Sequence, residues 1–292
     1  MNVEKAKEVF TMNYPEINKF IKTHKYLICI DSDGTAMDAM NIKHKQCFGP
    51  CFIKEWGLEA HRDLVIKLWN EVNLYSKTRG CNRFITFTEV LKRIENKIIK
   101  IDGLEALILW VETAPELSNN CLKEEIQRNP SNILKKALNW SIEVNKEIAK
   151  LSAEDNKPFE GVRECLQYAF DKVDISVISS ANIGAITEEW SHFDMLKYVG
   201  AMTSQEIGTK GQCIAQMLLK GYSTENVLMI GDAFSDLEAA KDNGVFFYPI
   251  LAEQEKKCWK DLMEFYLKQF YLGNYREYQD KLIEKFHNNF NR

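Results

Sequence analysis

The chain has 292 residues, 45% of them apolar, a formal net charge of -4 and a pI near 5.9. That length and apolar fraction suffice for one large or two unequal globular domains. The acidic balance argues against a nucleic-acid partner, since such binders are basic, and no apolar run reaches the length of a membrane span.

Residues 1–24 read as one or two helices, with Val3, Ala6, Val9 and Phe10 on one face and Ile17, Phe20 and Ile21 on another. The polar stretch from Met1 to Phe10 lacks the apolar core of a signal peptide. Tyr26 to Ile30 is an apolar run of buried-strand length, and Asp31-Ser32-Asp33-Gly34-Thr35 ends it abruptly. From Ala36 to about Asp155 apolar residues recur at three and four, as in Leu64, Leu68 and Val72, or Ile133, Leu134, Ala137 and Leu138. This predicts an all-helical insertion, closed by a polar run ending at Pro158.

An α/β alternation then begins. Helices are expected at Val162 to Phe170, Ile183 to Phe193, Lys210 to Leu219 and Asp236 to Asp242. Strands are expected at Asp174 to Ile178, Tyr198 to Met202, Val227 to Ile230 and Val245 to Ile250. The alternation implies a parallel sheet with right-handed crossovers. The expected division is 1–36 core, 37–155 helical insertion and 156–292 core, with a helical tail over 252–292. That tail is rich in aromatics (Trp259, Phe270, Tyr275 and Phe286 among them), which suits packing on the core or a homodimer contact. The eight cysteines include no Cys-x-x-Cys and read as reduced thiols of a cytoplasmic protein.

Chemistry-bearing residues recur at the carboxyl ends of the strands, where open parallel sheets bind ligands. Asp31 and Asp33 follow the first strand. Ser179, Ser180 and Asn182 follow the second, Lys210 opens a helix after the third, and Asp232 and Asp236 follow the fourth. Taken singly each has a plain reading: a turn, a helix cap or a solvated charge. Together they supply carboxylates, a hydroxyl and an ammonium at one sheet edge. That set suits phosphoryl transfer through an aspartyl phosphate, with a divalent cation among the acids.

The order of these motifs, an apolar strand with Asp31-x-Asp33-Gly34-Thr35, then Ser179, then Lys210, then Gly231-Asp232-x-x-x-Asp236, resembles the haloacid dehalogenase-type hydrolases. The resemblance covers about 25–36 and 156–250. It implies a Rossmann-like parallel α/β core with an inserted all-α cap. It also implies Asp31 as nucleophile, Asp33 as general acid and base, Ser179 or Ser180 on a phosphoryl oxygen and Lys210 neutralising charge. Mg2+ would be held by Asp31, Asp232 and the Asp33 carbonyl, with Asp236 orienting its water or Lys210. Ala36, where relatives carry a larger apolar residue, and the lack of Pro after Lys210 depart from the pattern. Asp33 points to phosphate esters, whose leaving group needs a proton. The implied protein is a Mg2+-dependent phosphatase for a small phosphorylated metabolite, monomeric or homodimeric, with no nucleic-acid or membrane partner. A phosphomutase of the same fold and a non-catalytic binding protein are the alternatives. Thr35, Asn182 and, from the basic stretch 77–84, Arg79 and Arg83 are further expected substrate contacts, although that stretch also reads as a solvated loop.

Overall fold

The computed structural model describes residues 15–204 and 207–290. The expected face of Val3, Ala6, Val9 and Phe10 lies outside them. The chain divides into two compact units, Met1–Ala39 with Ala153–Arg292, and Met40–Ser152.

The first unit is built on five parallel strands in the order β3-β2-β1-β4-β5. They are β1 (Tyr26–Ile30), β2 (Val173–Ile178), β3 (Ala201–Thr203), β4 (Val227–Gly231) and β5 (Phe246–Pro249). β1 is central because its apolar side chains are buried on both faces. Ile28 and Ile30 join a core with the helices Val162–Phe170 and Ile183–His192. Leu27 and Cys29 join the opposite core with Lys210–Leu218 and Phe234–Asp242. Continuous apolar runs mark strands covered on both sides. The third strand begins at Ala201, because Tyr198 ends a short 3-10 turn instead. Phe20 and Ile17 are buried as expected, whereas Ile21 is exposed.

The register brings the strand ends level. Ile30 pairs with Val177 of β2 and with Ile230 of β4, and the Asp31 N–H donates to Ile230 O at 3.0 Å. Chain connections run outward from β1 in opposite directions, toward β3 on one side and, after the crossover to β4, toward β5 on the other. The crevice at such a switch point, here between β1 and β4, is where ligands bind.

The segment after β5 wraps that edge. Trp259, Phe270 and Tyr275 enter one core, while Phe286 and Phe290 enter the other. The backbone of Phe247 on β5 is satisfied by this tail: its N–H donates to Gln279 Oε1 at 2.9 Å, and its carbonyl accepts from the Tyr275 hydroxyl at 2.8 Å. A covered edge cannot pair with another sheet. At the opposite, amino end of the sheet, the buried Asp174 of β2 accepts from the backbone N–H groups of Thr23 and His24 and from the Tyr222 hydroxyl.

Residues 40–152 are all helical. Their core stacks Trp140 on Phe87 with ring centroids 4.3 Å apart and packs Trp69 edge-on against Trp140 at 5.8 Å. Leu68 and Val72 face this core, while Leu64 is 43% exposed. The division falls at 39/40 and 152/153, within three residues of the expected boundaries. The reason is local: Met37 bridges to Asp33 and Pro158, and the Asp38 N–H donates to Lys157 O at 2.8 Å. Those bonds tie both connecting segments to the sheet unit. All eight cysteines are free thiols.

Candidate active site

Asp31 stands one residue beyond β1, so its carboxylate leaves the sheet at the switch point. Asp232 does the same after β4, and Lys210 and Asp236 come from the first turns of the two helices that follow β3 and β4. Thr209 and Gln212 close a capping box around the start of the Lys210 helix, with the Gln212 N–H donating to Thr209 Oγ1 at 3.2 Å. That fixes where Lys210 begins.

The four side chains converge. Lys210 Nζ lies 2.8 Å from Asp31 Oδ1 and 2.6 Å from Asp236 Oδ1. The other Asp236 oxygen accepts the Ala233 N–H at 3.0 Å. Asp31, Asp232 and Asp236 each offer an oxygen within 4.8 Å of the others. Thr35 Oγ1 donates to Asp232 Oδ1 at 2.7 Å and lies 3.4 Å from Asp31 Oδ2. All five residues are buried. Gly231 allows the close approach of β4 to the following helix, since a Cβ there would sit 2.3 Å from Asp236 Cβ. Gly34 turns the loop with φ of 84°, in the left-handed region.

Burial pushes the Asp31 carboxyl well above the usual carboxylate range, Lys210 opposes this, and the neighbouring charges of Asp236 and Asp232 reinforce it. Asp236 is raised in the same way, by burial first, with Lys210 opposing. Burial disfavours the Lys210 ammonium, yet Asp236 and Asp31 outweigh it and hold the group protonated. Three buried carboxylates against one ammonium leave an excess of negative charge that low dielectric makes costly. An oxygen-seeking divalent cation relieves that excess, so the donor set fits Mg2+.

Residues 107–250 match the family model described as haloacid dehalogenase-like hydrolase. A haloacid dehalogenase-like hydrolase from Bacteroides fragilis superposes with a TM-score of 0.50 at 16% identity, over 80% of this chain and 93% of that one. A haloacid dehalogenase-like family hydrolase from Xanthomonas campestris also gives 0.50, at 12% identity, over 89% and 99% of the two chains. The chain is thus similar to the haloacid dehalogenase-like hydrolases in sequence over 107–250, just under half its length, and shares their fold. No curated protein sequence matches it significantly.

The remaining expected residues fall in different places. Ser179 is buried beyond β2, its N–H donating to Thr203 O at 3.1 Å and its Oγ accepting from the Ala181 N–H at 3.1 Å. Ser180 is exposed. Asn182 caps the helix Ile183–His192, its Oδ1 accepting from the Gly184 and Ala185 N–H groups at 3.0 and 3.3 Å. Asp33 is half-buried in the turn whose Gly34 N–H donates to Met37 O at 2.9 Å. Thr35, expected to touch substrate, spends its hydroxyl on Asp232 because it is fully enclosed.

Arg79 and Arg83 belong to the helical unit. Arg79 is 2% exposed and donates to Leu74 O at 3.1 Å. Arg83 donates to Ser141 Oγ and Asn145 Oδ1 at 3.1 and 2.7 Å and lies over the Phe48 ring. The stretch 77–84 is therefore a packed element more than a solvated loop. Nearby His44 accepts from Trp69 Nε1 at 3.2 Å, and burial, aided by Arg79, Arg83 and Lys43, lowers its pKa to about 3.

Two contacts have no counterpart in the motif pattern. Trp190 Nε1 donates to Ser32 Oγ at 3.0 Å, and Trp259 Nε1 donates to the Thr35 carbonyl at 2.9 Å. No periodicity or spacing pairs residues 158 and 224 positions apart.

Proposed function

We propose that the protein is a Mg2+-dependent phosphatase that hydrolyses a small phosphorylated metabolite through an aspartyl phosphate. The observation that carries this reading is the Lys210 ammonium held 2.8 Å from Asp31 Oδ1 within a ring of buried carboxylates. Such a contact orients one carboxylate oxygen while leaving the other for attack, and phosphoryl transfer depends on positioning and cations more than on covalent help.

Asp31 attacks phosphorus and forms the P–O bond as the ester P–O bond breaks. Asp33 gives its proton to the departing alkoxide, then takes one from the water that attacks the aspartyl phosphate, releasing phosphate and free Asp31. Lys210 balances charge on Asp31 and the phosphoryl oxygens, and Asp236 holds Lys210 in place. Ser179 is the proposed hydrogen-bond partner of a phosphoryl oxygen. Asp31, Asp232 and the Asp33 carbonyl would hold Mg2+, which supplies Lewis-acid stabilisation of the phosphoryl charge.

The helical unit is read as a cap, and the proposed substrates are free metabolites of the cytoplasm. No helix among the described residues is long and apolar enough to cross a membrane. The test is phosphate release from p-nitrophenyl phosphate with and without Mg2+, followed by a 31P NMR screen of phosphorylated metabolites. Mg2+-dependent release that Asp31→Asn abolishes supports the reading. No release under either condition refutes it, and an isomerised product without free phosphate would assign a phosphomutase.

A further inference from the structure

The loop from Asp31 to Thr35 is short, and its own hydrogen bonds are unevenly spent. The N–H groups of Thr35, Ala36 and Met37 all converge on the Ser32 carbonyl, at 3.3, 2.9 and 2.8 Å. The Thr35 carbonyl takes its donor from elsewhere, the Trp259 indole at 2.9 Å. Trp259 lies on the helix Glu255–Asp261, in the segment after β5 and beyond residue 250, where the family match ends. The ring is fully enclosed. Its seat is built by Gly161, with φ of +94° and a would-be Cβ only 3.3 Å from Trp259 Cβ.

Fixing the Thr35 peptide has a direct consequence. The Thr35 side chain donates to Asp232 and neighbours Asp31, so rotation of that residue would move the hydroxyl that joins strands β1 and β4. Indole offers a donor and no acceptor, which makes the contact directional. Trp190 donates to the side-chain hydroxyl of Ser32, next to Asp31.

We propose that the C-terminal segment is part of the active-site apparatus, with Trp259 as a positioning residue that sets the Asp31–Thr35 loop through the Thr35 carbonyl. Its bearing on turnover rests on the reading of Asp31 as the nucleophile. Trp259 touches no reacting atom. Its effect therefore falls on the chemical step and not on substrate affinity.

The variant Trp259→Phe keeps the ring and removes the N–H. With p-nitrophenyl phosphate and Mg2+ its kcat should fall about tenfold while KM stays within about twofold, because small misplacements at a reacting centre are expensive. Hydrogen exchange at the amides of residues 35–37 should quicken. A merely structural role would lower the melting temperature and leave kcat and these amides unchanged in the folded protein. Wild-type exchange at 35–37 overturns the proposal whatever kcat does, and so does a wild-type kcat. Exchange needs no turnover, so unchanged protection at 35–37 overturns it even if the wild-type protein releases no phosphate, an outcome that refutes the phosphatase reading separately. Should Trp259→Phe fail to fold, the Trp259 indole N–H resonance of the wild-type protein is followed on adding Mg2+ and beryllium fluoride. Movement supports the coupling between that N–H and the Asp31 loop; a stationary resonance overturns it.

Discussion

Replacing Gly231 by Ala tests the packing that brings Asp236 to Lys210. The added Cβ would lie 2.3 Å from Asp236 Cβ and 2.4 Å from its Cγ and Oδ2. Carbon atoms prefer about 3.5–4.0 Å, so one of the two segments must retreat by more than about 1 Å. Asp236 is short and fully buried, and no flexible end can swing aside. Its retreat would break the 2.6 Å contact with Lys210 and the 3.0 Å bond from the Ala233 N–H. Overpacking costs about 1–3 kcal/mol and a lost hydrogen bond to a charged group about 1.5–3 kcal/mol, so the expected destabilisation is about 2.5–6 kcal/mol. Gly211→Ala is the matched control: it sits beside Lys210 in a helix, and its Cβ would meet nothing closer than 3.6 Å. That change should be neutral or stabilise by up to about 1 kcal/mol. Urea unfolding followed by near-UV circular dichroism gives both values. If Gly231→Ala unfolds within about 1 kcal/mol of wild type, the close-approach reasoning is wrong, since a real overpacked site costs at least that much.

Two further outcomes follow from the charged groups. Burial raises the Asp174 carboxyl, but hydrogen bonds from Thr23, Tyr222 and His24 outweigh it and hold the folded-state pKa below the ordinary value. Its contribution is thus fully present above the unfolded pKa of about 3.9 and is lost as pH falls through the folded value. Asp174→Asn should flatten the fall of the urea midpoint with acid below about pH 4; parallel pH profiles would refute this. Mg2+ should raise the melting temperature, because a ligand at a hundredfold its Kd stabilises the folded state by about 2.7 kcal/mol. Asp232→Asn should reduce that shift, and an equal shift in wild type and variant would count against Asp232 as a ligand.

The acid loop after β1 was legible because it interrupts an apolar run within five residues. Lys210 and Asp232 were legible because the strand–helix alternation puts each at the same end of the sheet. The aromatic tail was legible as a packing stripe, and Trp259 and Phe286 indeed enter the two cores. Side-chain partners were not legible where burial decides them. Thr35 and Asn182 both read as groups free for a ligand. Enclosure gives the first to Asp232, and the helix start engages the second. The basic stretch around Arg79 and Arg83 hid its packing because Ser141 and Asn145, which accept the Arg83 hydrogen bonds, come from a distant part of the insertion.

By itself, then, the sequence determined which segments become strands and helices, and so which residues stand at the carboxyl edge of the sheet. Those features depend on period and on turn chemistry over a few neighbouring residues. The tertiary structure alone decided that Gly231 must lack a side chain, that Asp174 anchors the opposite end, and that Trp259 reaches Thr35 across 224 positions. Such contacts depend on the path of the whole chain through space, and a distance along the sequence carries no trace of them.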